Sequence, residues 1–350
     1  MSLVEARRVT TAGIARAAQG ISPVFTQTPV VHHDDVDGWL GAHVSCKVES
    51  LGPLRSFKGR GGDWFMRQRA GTGPVCAASA GNFGQALAYA ARAAGVPCTM
   101  FAASHASPLK VARMRALGAT VIQDGDDFDA AKEAARAYAR EHAIEFVEDG
   151  QALAITEGAG SIAVELANAV TLDTLLVPLG NGALLAGVAT WMKAVSPSTR
   201  IVGVVAEGAP SMMRALTGIQ VDHAMPVATI ADGIAVRVPV KEAVDDLRAL
   251  ADDLVAVSDD AIVAAMRGLI AHLGLVIEPA GAVGIAALLT ASHGAYGGTC
   301  RHHPLRRERD HGAAQSVGGA AGVHRQLTAA RPCQRRRHQI MAAARARFGR

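Results

Sequence analysis

PVCAASAGNFGQALAYAARAAG, Pro74 to Gly95, is the stretch that decides the fold. Its opening, PVCAAS, is a short apolar run that reads as a buried strand. Gly81 and Asn82 make a turn, and from Phe83 small and apolar residues follow as a helix until Gly95, which reads as the glycine stop. A strand that passes through a tight turn into a helix is half of a βαβ unit.

The same unit recurs downstream. PCTMFA, TVIQDG and EFVED read as strands, and SPLKVARMRALG and FDAAKEAARAYAREH read as the helices between them. A second alternating series runs from GAGSIAVELANAV through TLLVPLGNGALLAGVATWMKAV to RIVGVVAE and DDLVAVSDDAIVAAMRGLIAHLG. The pattern predicts an α/β protein with two open, mostly parallel twisted sheets flanked by helices, followed by an irregular C-terminal tail. Its expected boundary lies near residues 150–158. Upstream, ARRVTTAGIARAAQ and GGDWFMRQRA have helical spacing, and QTPVVHHDDV and AHVSCKVES read as extended pieces joined by turns.

Composition limits the function. The chain has 350 residues, half of them apolar, so one large or two medium domains can form. Aromatics are only 4%, which argues against a surface that stacks nucleic-acid bases. Five cysteines show no metal-ligand spacing and suggest neither a disulfide framework nor a zinc site. The first residues lack an apolar leader, and no run of about 18 apolar residues occurs. A cytoplasmic enzyme with no membrane or nucleic-acid partner is the expectation. The net charge of +4 is uneven: from Thr299 onward, twelve arginines against two acidic residues give +10, so the rest of the chain carries −6.

Three stretches could carry chemistry. In VPLGNGALLAG, Val177 to Gly187, an apolar strand enters Gly180, Asn181, Gly182, Ala183 and Leu184 before a helix. Consecutive N–H groups at a helix start can hold a phosphate, although a ligand-free strand-to-helix turn has the same pattern. In CAASAGNFGQA, the turn Ser79, Ala80, Gly81, Asn82 offers N–H groups and an amide to a carboxylate, or is simply structural. In SFKGRGG, Lys58 sits where a helix begins, with no carboxylate close by in sequence. A buried lysine there could form a Schiff base; the alternative is a solvated surface lysine.

Taken in order, SFKGRGG, SAGNFGQ and VPLGNGALLAG resemble the pyridoxal-phosphate enzymes of the tryptophan-synthase-β fold (fold type II), specifically the threonine/serine dehydratase branch. FTQTPVV, ASPLKVARMRALGATVI, TIADGIAV and IEPAGAVGIAAL extend the likeness over about Ile21 to Leu289. The resemblance implies pyridoxal 5'-phosphate as cofactor and an amino-acid substrate, deaminated by β-elimination: threonine to 2-oxobutanoate, serine to pyruvate. It implies that Lys58 binds the cofactor as a Schiff base, with Phe57 beside the ring and Asn82 on the ring hydroxyl. Ser79, Ala80, Gly81 and Asn82 would take the substrate carboxylate, and Gly180 to Leu184 the phosphate. Gly233 would line the ring edge, and Glu278 would stand near the centre.

It further implies a homo-oligomer, dimer or tetramer. A large domain would be formed by residues 1–70, which carry Lys58, with 151–297, and a small one by 71–150. Separately, the aperiodic, arginine-rich composition of residues 298–350 reads as a basic, disordered tail.

Departures from the branch matter. Asn181 and Ala183 replace two of four glycines, a feature shared with threonine synthases, whereas SFKGRGG and ASAGN favour a dehydratase. Family racemases have a second serine where this chain has Ala80. A divalent cation of some relatives would map near Glu207, Ser211 and Met213; Met213 is a poor ligand for a hard cation, and no metal is expected there. The small residue and Gly-Gly-Asn that bind the ring nitrogen in relatives do not follow Leu289.

Synonymous codons for Thr299 to Gln315, read from the second base, permit RVATILCGGNVTTEQ, which is that missing strand. A shift of reading frame near residues 297–299 is therefore expected, and impaired activity with it. The competing readings are a serine racemase, a threonine-synthase-like enzyme, or a non-catalytic protein, either an inactive remnant or a binder acting through its basic tail.

Overall fold

Thr10 opens the first helix by accepting the Gly13 N–H on its hydroxyl at 3.1 Å. That helix, α1 (Thr11–Gly20), belongs to a computed structural model that describes residues 7–71 and 73–291. The expected tail, with its frame-shifted strand, lies outside the described residues.

The N-terminal region continues with β1 (Val30–His32), α2 (Asp34–Leu40), β2 (Ser45–Lys47) and α3 (Lys58–Gln68). β1 and β2 pair antiparallel, a small sheet beyond the two expected. Next come β3 (Val75–Ala78), α4 (Asn82–Ala93), β4 (Cys98–Ala102), α5 (Pro108–Ala116), β5 (Thr120–Gln123), α6 (Phe128–Glu141) and β6 (Glu145–Phe146). These strands form a parallel sheet of order β5-β4-β3-β6. The expected strand EFVED is paired only over its first two residues, after which the Val147 N–H donates to the Cys76 carbonyl at 2.8 Å.

The chain then forms α7 (Leu153–Ala169), β7 (Thr174–Pro178), α8 (Ala183–Val195), β8 (Arg200–Ala206) and α9 (Ser211–Leu216), followed by α10 (Lys241–Leu247), β9 (Asp253–Val257), α11 (Asp259–Leu273) and α12 (Pro279–Thr290). β7, β8 and β9 make a second parallel sheet in that order. Leu175, Leu176, Val177, Ile201, Val202, Val204 and Val205 are fully buried, as expected of parallel strands covered on both faces. Residues 153–158, in the stretch where a boundary was expected, lie in the first turns of α7.

Two features position the site. In the first parallel sheet the chain leaves β3 toward β4 and β5, then returns to β6 on the other side of β3. Crevices at such a switch point, beyond the carboxyl ends of the strands, are where α/β sheets bind ligands. The second feature is α3, wedged between neighbours that touch its glycines. A Cβ on Gly61 would lie 2.8 Å from the Ile155 carbonyl oxygen, and one on Gly62 would lie 2.9 Å from that of Ala86. The glycines after Lys58 therefore let α3 pack directly against the backbones of α7 and α4.

Candidate functional site

Lys58 is the first residue of α3, and its backbone N–H donates to the Ser56 hydroxyl at 3.3 Å. The side chain is not solvated: it is only 14% exposed, with Nζ 4.8 Å from the Phe57 ring centroid. Its carboxylate partner comes from elsewhere in the chain. Nζ donates to Asp149 Oδ2 at 2.5 Å, which corrects the carboxylate-poor setting read from the local sequence. Asp149 lies beyond β6, at the switch point of the sheet. Its Oδ1 is buried without a hydrogen-bond partner among the described residues.

Facing Lys58, β3 ends at Ala78 and α4 begins at Asn82, so Ser79, Ala80 and Gly81 form the turn between them. The Ser79 hydroxyl accepts the Gly81 N–H at 3.1 Å and holds the turn in shape. Asn82 Nδ2 donates to Glu278 Oε1 at 3.0 Å, linking the start of α4 to the residue that precedes α12.

The third wall is the loop between β7 and α8. Gly182 has φ +93°, a left-handed conformation that side-chain-bearing residues avoid, and a Cβ there would meet the Ala243 Cβ at 3.0 Å. Its conformation turns the chain into α8 at Ala183, where the first helical N–H groups lack intrahelical partners and favour an anion.

These elements enclose one cavity of about 380 Å³. Every expected site residue lines it: Phe57, Lys58, Ser79 to Asn82, Gly180 to Leu184, Gly233 and Glu278. Glu207, Ser211 and Met213, near which a cation of some relatives would map, do not line it. The residues fit pyridoxal phosphate: an amine for the aldehyde, an anion cradle at a helix start for the phosphate, and an amide at the far wall.

Sequence reasoning missed Asp149, Glu49 and the residues of the cavity mouth. There Lys110 pairs with Asp232, and Arg237 donates to Asp127 at 2.7 Å and to Asp129 at 2.6 Å. These pairs join residues around α5 and α6 to the loop after α9. Asp149 could have been sought from its place at the end of a parallel strand; the mouth pairs left no local signal.

Behind Lys58 lies a buried ionic network. Arg60, fully buried, donates twice to Glu49, at 2.8 and 3.0 Å, and twice to Glu165, at 2.6 and 3.0 Å. Lys47 Nζ adds a bond to Glu165 at 2.6 Å. Burial alone pushes the Glu165 carboxyl up, but the hydrogen bonds and charge of Arg60, with Lys47 and the Gln27 N–H, bring it down to about 2. Two cations thus meet two carboxylates, which fixes α3 to the β2 strand and to α7.

Comparison with known proteins agrees with this geometry. The sequence pattern of the family described as "Pyridoxal-phosphate dependent enzyme" matches residues 21–299. An L-threonine ammonia-lyase of Thermotoga maritima is 32% identical over 292 residues, 80% of this chain and 71% of that protein. The crystal structure of a T.th. threonine deaminase superposes with a TM-score of 0.75 at 32% identity, covering 80% of this chain and 92% of that one. Maize serine racemase also superposes with a TM-score of 0.75, at 28% identity over 81% and 87% of the two chains. No helix among the described residues is long and apolar enough to cross a membrane.

Proposed function

Because the chain belongs to the pyridoxal-phosphate dependent enzyme family, we propose that it is an ammonia-lyase that converts L-threonine or L-serine to a 2-oxo acid and ammonia. The observation that carries this reading is the convergence of Lys58, the Ser79–Asn82 turn and the Gly180–Leu184 loop on one cavity.

Pyridoxal phosphate, when bound, supplies a conjugated ring that accepts the electron pair left when the Cα–H bond breaks. The protein supplies the rest. Lys58 would hold the cofactor through Nζ, and the same Nζ, when free, would take the Cα proton. The N–H groups of the Ser79–Asn82 turn receive the substrate carboxylate and so orient Cα–H toward Lys58. The N–H groups of Gly180 to Leu184, at the start of α8, would hold the phosphate, and Phe57, Asn82, Gly233 and Glu278, which line the same cavity, would bound the ring. Asp149 holds the Lys58 amine in place between steps. Loss of the β-hydroxyl as water and hydrolysis of the resulting enamine give the 2-oxo acid and ammonia.

A racemase requires a second proton donor beside the carboxylate turn, and Ala80 offers none. In the same reading residues 71–150 act as a small domain against 1–70 and 151–297, and the enzyme is a homo-oligomer. Assay of 2-oxo acid from L-threonine and L-serine, with Lys58→Ala as control, tests the assignment; product from neither substrate rejects it.

A further inference from the structure

The segment VVHHDDVDGWLGAH, Val30 to His43, places three histidines and three aspartates in fourteen residues, and none of them lines the catalytic cavity. The fold gathers three of them. His32 ends β1, Asp37 lies on α2, and His43 lies in the turn that leads to β2. One ligand atom from each of His32, Asp37 and His43 lies within 4.8 Å of the other two.

The arrangement is held from behind. Asp37 Oδ1 accepts the Val44 N–H at 2.8 Å, and His43 Nδ1 pairs with Asp37 Oδ2. His32 Nδ1 faces the Val44 carbonyl at 3.1 Å and Asp37 Oδ1 at 3.7 Å, while its Nε2 lies 3.8 Å from Asp34 Oδ1. Val36 and Val44, each 1% exposed, anchor the backbone on both sides of the cluster. Such backbone contacts behind a ligand set fix side-chain orientation in metal sites.

We propose that His32, Asp37 and His43 form a binding site for a divalent transition metal such as Zn²⁺. Two imidazoles and one carboxylate suit zinc or its neighbours, whereas calcium and magnesium take oxygen ligands. With ligand bonds of about 2.0–2.2 Å, zinc would spread the directly paired His43 and Asp37 and draw His32 inward, each by a distance on the order of 1 Å. His32 and His43 are 42% and 40% exposed at their side chains, so water or Asp34 completes the coordination. Bound metal would pin β1, α2 and β2 to one another.

The test uses the full chain, freed of metal by a chelator and titrated with Zn²⁺ against a chromophoric competitor. Histidines and cysteines beyond residue 291 can also bind zinc, so the decisive reading is a difference between variants. His32→Ala and His43→Ala are each expected to weaken one equivalent of Zn²⁺ by at least the roughly 10- to 100-fold that loss of even an outer-shell partner costs. His223→Ala should leave that equivalent intact. A Co²⁺ titration read by its visible ligand-field bands should show the same pattern, and the cofactor's absorbance band serves as a check that each variant has folded. Zinc binding that is absent from the parent chain, or equal in the parent and both variants, overturns the proposal.

Discussion

Lys58 Nζ lies 2.5 Å from Asp149 Oδ2, although 91 residues separate the two in sequence. α3 delivers the amine and the end of β6 delivers the carboxylate, so the pair spans the switch point of the first parallel sheet. Asp149 Oδ1, which has no hydrogen-bond partner among the described residues, keeps an acceptor beside the Lys58 amine.

Asp149→Asn keeps the shape and removes the charge that holds Lys58. We expect the cofactor's visible band to persist while kcat for 2-oxo-acid formation falls on the order of 10- to 100-fold, with KM little changed, less than loss of the base itself would cost. Asp149→Glu should recover part of the rate. Steady-state kinetics of the three proteins decide; an unchanged kcat in Asp149→Asn would sink the positioning role.

Gly182→Ala places a Cβ at φ +93° and 3.0 Å from Ala243. The expected cost is about 1–2 kcal/mol of stability together with weaker cofactor retention. Thermal unfolding and cofactor titration measure the two effects. Full retention of both would mean that the loop shape does not govern phosphate binding.

The Arg60 network should be visible in acid. The folded Glu165 carboxyl is held at about 2, against an ordinary value of 4.5, so between those values the unfolded chain binds the extra proton. Its stabilising contribution is therefore full above about pH 4.5 and is lost as pH falls toward 2. Glu165→Gln leaves Arg60 with Glu49 and removes the carboxylate bound by Lys47, and should cost about 3–5 kcal/mol at neutral pH, with a flatter decline in acid. Urea midpoints of both proteins across this window test the sign.

The encoding DNA supplies a test independent of the fold. Read one base further on from the Thr299 codon, it should encode the Cys-Gly-Gly-Asn run expected to follow Leu289. An open second frame that lacks this run would remove the frame-shift explanation of the arginine-rich segment.

The path from sequence to site was uneven, for physical reasons. β3 and α4 were legible because PVCAAS and FGQALAYAARAAG carry their periods within a dozen residues. The Gly180–Leu184 loop was legible because a left-handed turn at Gly182 needs glycine. Asp149 and the Arg237 pairs were not, since each is made by chain segments that only the fold brings together. Nor was the burial of Arg60, because charged residues are ordinarily exposed and only Glu49 and Glu165 together make its interior position tolerable. β6 is shorter than the expected strand EFVED because only Glu145 and Phe146 find ladder partners on β3.

The central claim is tested most directly by measuring 2-oxo acid and ammonia from L-threonine and L-serine, on this chain and on one with its frame restored after Gly297, each loaded with pyridoxal phosphate. The account predicts equal amounts of 2-oxo acid and ammonia from the restored protein, a lower rate in the present chain, and none in Lys58→Ala. Formation of the cofactor's visible band on Lys58 with no 2-oxo acid from either substrate, even in the restored protein, would contradict it.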